Sequence, residues 1–249
     1  MKDGSQFNRV GTRHKNYKRI EKRMLLMSYE VFLKISDSTY TQFETIRQKL
    51  HDGVSQSQAK PLGDVLSDLS CEIIEQVFSV LLQSGNTTMS PKQQAESEKV
   101  VQQVLETFRK YMPWSVSFFG NERLLPLVDY MTSLMKEQGQ QVYITYPVTL
   151  QLVQQAETLT QQIRDGNMQS VAAAFDTLIQ IVDLGVTSLV REPKKRLKFN
   201  LVVDKTLNGV INMTTHLGYK RLEKLGTQVD QTTATHYINH FLAFMHQAA

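Results

Sequence analysis

Hydrophobic residues recur every three or four positions along most of the chain, a spacing that predicts amphipathic α-helices. The most regular stripe follows Pro61, whose fixed φ suits a first helical turn, and it ends before Gly85. The stripe consists of Leu62, Leu66, Leu69, Ile73, Val77 and Val80. Similar spacing predicts helices over about 16–35, 41–50, 91–112, 121–138, 148–164, 169–190, 194–222 and 231–245. We therefore predict an all-α protein, a compact bundle of about seven to nine helices.

The pattern is ambiguous over residues 114–147. The run 114–119 partly alternates between apolar and polar residues, and the run 142–146 is rich in residues that favour strands. With the predicted helix between them, they would form a short strand–helix–strand unit and make the fold α+β. We favour the all-α alternative, in which both runs are buried connections, because no other segment supports a sheet.

The domain organisation follows from the same pattern. Residues 1–14 are polar and lack a hydrophobic period, so we predict a flexible basic arm there. Residues 15–249 are predicted to form a single helical domain. Gly166 and Asn167 mark the softest potential boundary within it.

Composition agrees with a globular helical protein. The chain has 249 residues, of which 41 % are hydrophobic and 21 % charged, enough apolar material for a core. Cys71 is the only cysteine, which excludes an intramolecular disulfide framework and a cysteine-based zinc cluster. The apolar run at 24–27 is too short for a signal sequence, and no window approaches the length of a membrane span. We therefore expect a soluble, cytoplasmic protein without a transmembrane segment.

Positive charge is concentrated in two blocks. Residues 1–24 hold eight lysine and arginine residues against two acidic ones, a net charge of +6, so the rest of the chain carries −2 of the total of +4. Such blocks attract phosphate groups of nucleic acids or of anionic membranes. The candidate binding residues are Arg9, Arg13, Lys15, Lys18, Arg19, Lys22 and Arg23 in the first block, and Arg191, Lys194, Lys195, Arg196 and Lys198 in the second.

Four acidic residues form a stripe on the helix after Pro61. Asp64, Asp68, Glu72 and Glu75 fall within an arc of about 80° on an ideal helix. Like charges four residues apart repel each other by about 0.2–0.5 kcal/mol. A solvated helix face is the simpler interpretation. One alternative is a basic partner for the stripe, either the N-terminal arm or the run 194–198, in the same chain or in another copy. A second alternative is a divalent cation, although carboxylates on a helix are a weak metal signal without a nearby histidine.

Metal chemistry has one weak candidate. His236 and His240 have the spacing of helical zinc ligands, but Tyr237 stands where helical metalloproteases carry their glutamate. Both histidines are predicted to point more than about 100° away from the centre of the apolar face. No third ligand is evident, and Asp68 or Glu72 would have to complete the site. We predict no cofactor.

The sequence contains no phosphate-binding glycine loop, nucleophile elbow or paired-cysteine motif, so no catalytic residue is assigned. The leading hypothesis is a non-enzymatic helical scaffold that self-associates or binds a protein partner. The alternatives are electrostatic binding to nucleic acid or an anionic membrane surface, and a metal-dependent helical enzyme. A further alternative is a ligand pocket between helices, which leaves little trace in a sequence.

The electrostatic alternative makes a direct prediction. The affinity for a labelled random-sequence DNA duplex should fall steeply as salt is raised, because bound cations are released from the phosphates. Deletion of residues 1–23 should abolish it. Fluorescence anisotropy measures both effects, and salt-independent binding, or no binding at low salt, would contradict the hypothesis.

Overall fold

The structure, a computed structural model, describes residues 29–82 and 90–247. These ranges contain eight helices and four short strands. The helices are α1 (Asp37–His51), α2 (Ala59–Leu82), α3 (Pro91–Val116), α4 (Asn121–Ser133), α5 (Leu150–Arg164), α6 (Ser170–Leu197), α7 (Leu201–Gly226) and α8 (Gln231–Leu242). The strands are β1 (Tyr29–Lys34), β2 (Met135–Gln138), β3 (Gln141–Val148) and β4 (Met245–Gln247). The predicted helical fold is confirmed, with a minor strand component.

The strands form one antiparallel sheet in the order β2-β3-β1-β4. The β-forming run at 142–146 is therefore a strand, as the α+β alternative predicted, and the preference for a buried connection was wrong. The other half of the predicted unit is helical, since residues 114–116 belong to α3. The helix predicted to extend to 138 stops at Ser133, and β2 turns into β3 at Gly139, whose φ of +64° suits glycine.

The central strand β1 is the largest departure from the helical prediction. It pairs with β3 from Tyr29↔Val148 to Lys34↔Tyr143, and with β4 on its other edge. Val31, Phe32 and Leu33 are all buried, so both faces of the strand are covered. A short apolar run buried on both faces has no alternation, and its spacing does not distinguish a strand from a helix.

Helix starts agree well with local sequence signals. Ser90 caps α3, and a reciprocal hydrogen bond with Gln93 completes a capping box. The helices α5, α7 and α8 are capped by Thr149, Asn200 and Asp230. Each of these side chains accepts a hydrogen bond from a backbone N–H of the first turn. These caps satisfy N–H groups that the helices cannot satisfy internally.

Helix α6 contacts α4, α5, α7, α8 and β3. Its closest approach to the sheet is at Gly185, where a Cβ atom would lie 2.9 Å from the Tyr146 ring. The main hydrophobic core includes buried residues from Val31 to Met245, on both sides of the turn at 166–167.

Helix α6 also bears on the expectation that no segment is long enough to span a membrane. With a mean hydropathy of 1.5 in its most apolar window, it is the one helix in the described ranges long and apolar enough to cross a bilayer. The core helix of a globular protein meets the same criterion, and α6 packs one face into the core. The described residues therefore contain no clear transmembrane segment.

The packing of α2 against α3 gives a stability prediction. A Cβ atom on Gly63 would lie 2.6 Å from the backbone Cα of Pro113, so Gly63→Ala should destabilise the fold by about 1–3 kcal/mol. Gly209→Ala is the matched control, because nothing lies within 4 Å of the corresponding position on α7. The control should gain about 0.5–1 kcal/mol from helix propensity. Urea unfolding measures both, and equal effects would contradict the proposed steric contact.

Candidate ligand cavity

Helix α6 is apolar around most of its circumference, but only 33 % of its most apolar window is buried. Part of its apolar surface faces α2, α3 and α7 across a cavity. There, Val186, Leu189 and Val190 are half-buried and line a cavity of about 190 Å³.

The cavity lies between α2, α3, α6 and α7, with the end of α4 contributing to its wall. The lining is almost wholly aliphatic and aromatic. Its main apolar residues are Leu66, Leu69, Ile73 and Phe78 from α2, Val104, Phe108 and Met112 from α3, Leu127 and Met131 from α4, and Leu207, Val210 and Ile211 from α7. An apolar group that enters this space would remove much of its surface from contact with water.

The serine and threonine hydroxyls in the wall are bonded within their own helices. Ser70, Thr107 and Thr214 each donate to the carbonyl oxygen four residues earlier, at 2.7, 2.7 and 2.8 Å. Their hydroxyl protons are therefore used in hydrogen bonds within the helices, and the methyl groups of the threonines add to the apolar surface.

The charged groups at the wall are also paired. Lys194 lines the cavity and forms a short ion pair with Asp204 on α7. The Tyr219 hydroxyl donates to Asp183 at 2.6 Å, and the Arg191 guanidinium donates to the same carboxylate oxygen at 2.8 Å. Burial and the neighbouring carboxylate raise the pKa of Tyr219, so the phenol stays neutral at physiological pH.

A π-helical turn, Thr187–Arg191, interrupts α6 where it borders the cavity. Pro193 accounts for it, because proline lacks an N–H and its ring clashes with the carbonyl four residues earlier. The Glu192 N–H bonds instead to the Thr187 carbonyl, five residues back. The Ser188 carbonyl accepts a hydrogen bond at 2.8 Å from the Tyr130 hydroxyl on α4. Such turns are frequent at functional sites.

Helix α4 also fastens the C-terminus of α6. Arg123 donates to the carbonyl oxygens of Leu197 and Lys198, which the helix leaves without internal donors. Its guanidinium lies 4.4 Å from the centre of the Phe119 ring. Lys198 adopts a left-handed conformation, with φ of +49°, that ends the helix.

A buried arginine on α7 joins this helix to the N-terminal part of α3. That part of α3 precedes the residues that line the cavity. Arg221 is only 5 % exposed and donates to the Ser97 hydroxyl at 2.9 and 2.6 Å. It also bonds to the Gln93 carbonyl and to the Glu96 carboxylate. Burial lowers the pKa of Arg221, and the Glu96 carboxylate opposes that effect. This network fixes the distance between the two helices on one side of the cavity.

The acidic stripe does not form one binding surface. Glu72 is directed at the start of α1, where it accepts hydrogen bonds from the Ser36 backbone N–H at 3.0 Å and from the Ser36 and Thr39 hydroxyls, each at 2.6 Å. Glu72 is therefore part of the α1 cap. Sequence reasoning missed this role, since it requires contact across 36 residues.

The remaining acidic residues have local counter-charges or face solvent. Asp64 pairs with Lys60 at 2.6 Å, and Glu75 lies 3.8 Å from Arg109. Asp68 is exposed. The ion pairs that the structure shows for Asp64 and Glu75 thus involve α2 and α3, not the run 194–198.

The second basic block lies at the end of α6, where positive charge complements the helix dipole. Besides the pairs of Arg191 and Lys194, Lys195 pairs with Glu192 at 2.5 Å. Arg196 stacks over the Tyr130 ring at 4.1 Å. Much of the block's charge is balanced inside the chain. The first block, Arg9 to Arg23, and the arm 1–14 lie outside the described residues.

The histidine pair is not joined by a third ligand. His236 is exposed, whereas the Nε2 atom of His240 lies 2.9 Å from the Gln76 carbonyl oxygen and its ring packs against Phe244. His240 therefore has a polar partner on α2 and an aromatic neighbour just beyond the end of α8. Within residues 29–82 and 90–247, no group of three or more His, Cys, Asp or Glu side chains could hold a metal ion.

The only cysteine shows no sign of reactivity. Cys71 is buried, and this burial raises the pKa of its thiol. The thiolate is the nucleophilic form, so a raised pKa disfavours a catalytic role at neutral pH.

The π-turn gives a prediction about stability. Tyr130→Phe should cost about 1 kcal/mol, because the Ser188 carbonyl loses its donor while half-buried. Tyr143→Phe is the control, since within the described residues the structure shows no hydrogen bond from that half-buried hydroxyl. Thermal and urea unfolding compare the two. Equal stability of both variants would show that the Tyr130 contact does not support the turn.

Comparison with known proteins gives no family or function to set beside this geometry. No family model matches the chain, and neither a curated protein nor a solved structure matches it.

Proposed function

We propose that this chain binds a small apolar molecule, or the apolar part of a larger one, in the cavity between α2, α3, α6 and α7. The observation that carries the proposal is the stretch of α6 that contains Val186, Leu189 and Val190. These apolar residues are only half-buried, and they border a cavity of about 190 Å³ whose lining is almost wholly apolar.

The cavity's size sets the scale of the ligand. An engineered apolar cavity of about 150 Å³ remains dry and binds benzene. By comparison, 190 Å³ accommodates an apolar group of about seven to ten carbon atoms.

The free-energy cost of an unfilled cavity favours a bound ligand. Protein interiors are close-packed, and an unfilled cavity destabilises a fold by about 24 cal/mol for each Å³. This cavity is partly open to solvent, so its cost is smaller than that of an enclosed void of the same volume. A ligand that restores contacts with the wall recovers part of this energy.

The wall supports binding rather than chemistry. A nucleophile or a general base needs an accessible polar group, but the wall's Ser70, Thr107 and Thr214 hydroxyls donate to their own helices. Its one lysine, Lys194, is paired with Asp204. The hypotheses of a self-associating scaffold and of a cytoplasmic location stay predictions, and electrostatic binding would depend mainly on the N-terminal arm.

Toluene is a suitable first probe. Burial of its surface should give a dissociation constant on the order of 0.1–1 mM and raise the unfolding temperature. Val210→Phe should weaken binding at least about tenfold, because the larger ring occupies the cavity. Isothermal titration calorimetry measures the affinity, and thermal unfolding measures the linked stabilisation.

Val202→Phe is the matched control on the same helix. Val202 is 74 % exposed and does not line the cavity, so this variant should bind toluene like the wild type. No saturable binding to the wild type would overturn the proposed function. Equal binding by both variants would place the ligand elsewhere.

A further inference from the structure

We infer that the cavity selects an uncharged ligand, and that the Lys194–Asp204 pair is the group that excludes carboxylates. This inference rests on the proposed function and adds a chemical class to it. An apolar pocket that borders a lysine would ordinarily suit a fatty acid or an aromatic acid, because the ammonium group could bind the carboxylate. The structure assigns that ammonium group to a partner within the chain.

Lys194 already binds an anionic side chain of the same protein. Its side chain is 13 % exposed and forms a short ion pair with Asp204. Asp204 lies in the first turn of α7, where the helix dipole stabilises a negative charge. Its other carboxylate oxygen accepts a hydrogen bond from Asn208 Nδ2 at 2.8 Å. A ligand carboxylate would therefore have to displace one that is already held in place by the helix.

The cation-binding capacity of Asp183 is used in the same way. It accepts hydrogen bonds from the Tyr219 hydroxyl and from Arg191. Arg191 is held further by Thr187 at 2.9 Å, within the π-turn. Asp183 does not itself line the cavity, and a ligand ammonium group would have to compete with this guanidinium to reach it.

The experiment compares toluene, nitrobenzene and benzoate by isothermal titration calorimetry with the full chain. Nitrobenzene and benzoate have nearly the same shape, but only benzoate is charged. The wild type should bind toluene and nitrobenzene with affinities within about tenfold of each other. Benzoate should bind at least about 100-fold more weakly than nitrobenzene, because a desolvated carboxylate without a partner is strongly disfavoured.

A variant tests the assignment to one ion pair. Asp204→Asn keeps the shape of the side chain but releases the Lys194 ammonium group, so it should gain at least about tenfold in affinity for benzoate. Its affinity for toluene should change little. Asp176→Asn removes the same charge from an exposed position of α6 and should gain nothing.

The outcomes separate the two proposals. If the wild type binds neither toluene nor nitrobenzene, the proposed function fails. If it binds benzoate as well as nitrobenzene, ligand binding stands but the charge selectivity is overturned. If folded Asp204→Asn binds toluene without gaining benzoate affinity, the role of Lys194 is overturned. Should that variant not fold, the wild-type comparison of nitrobenzene with benzoate still decides the selectivity.

Discussion

Burial of α6 is the constraint on which the sheet, the core and the cavity all depend. One side of the helix is too apolar to face water, so it packs against α4, α5, α7, α8 and β3. Its contact with the sheet requires a residue without a side chain, because the ring of Tyr146 lies against Gly185. At and just before the π-turn, Val186, Leu189 and Val190 are only half-buried and border the cavity.

Polar contacts at the border of the cavity keep the surrounding helices at their observed spacing. Arg221 sets the spacing of α3 and α7 on one side, while Tyr130 and Arg123 hold the end of α6 against α4 on the other. Each contact satisfies a buried or half-buried polar group that would otherwise cost about 1–3 kcal/mol. Collapse of the helices into the space would break these contacts, so the contacts oppose it.

Charge has a different role from the one that the sequence blocks indicated. The second basic block and the acidic stripe looked like two complementary binding surfaces. In the fold, most of their members have near partners: Glu72 caps α1, Lys194 pairs with Asp204 and Arg191 pairs with Asp183. Local pairing of this kind leaves the cavity uncharged overall, and it makes hydrophobic contact the main source of affinity for a ligand.

The sequence by itself determined the helices with a clear hydrophobic period and a capping signal, such as α3 after Ser90 and α2 from Pro61 onwards. These features are local, because both the period and the cap act within a few residues. The strand β1 was decided only in the tertiary structure, where β3 and β4 cover both of its edges and give its continuous apolar run a sheet to join. The same holds for Glu72 and for the cavity, since each depends on contacts between residues far apart in the chain. The sequence predicted a helix over 169–190, but only the packing of four other helices decided which of its apolar residues would be covered and which would border the cavity.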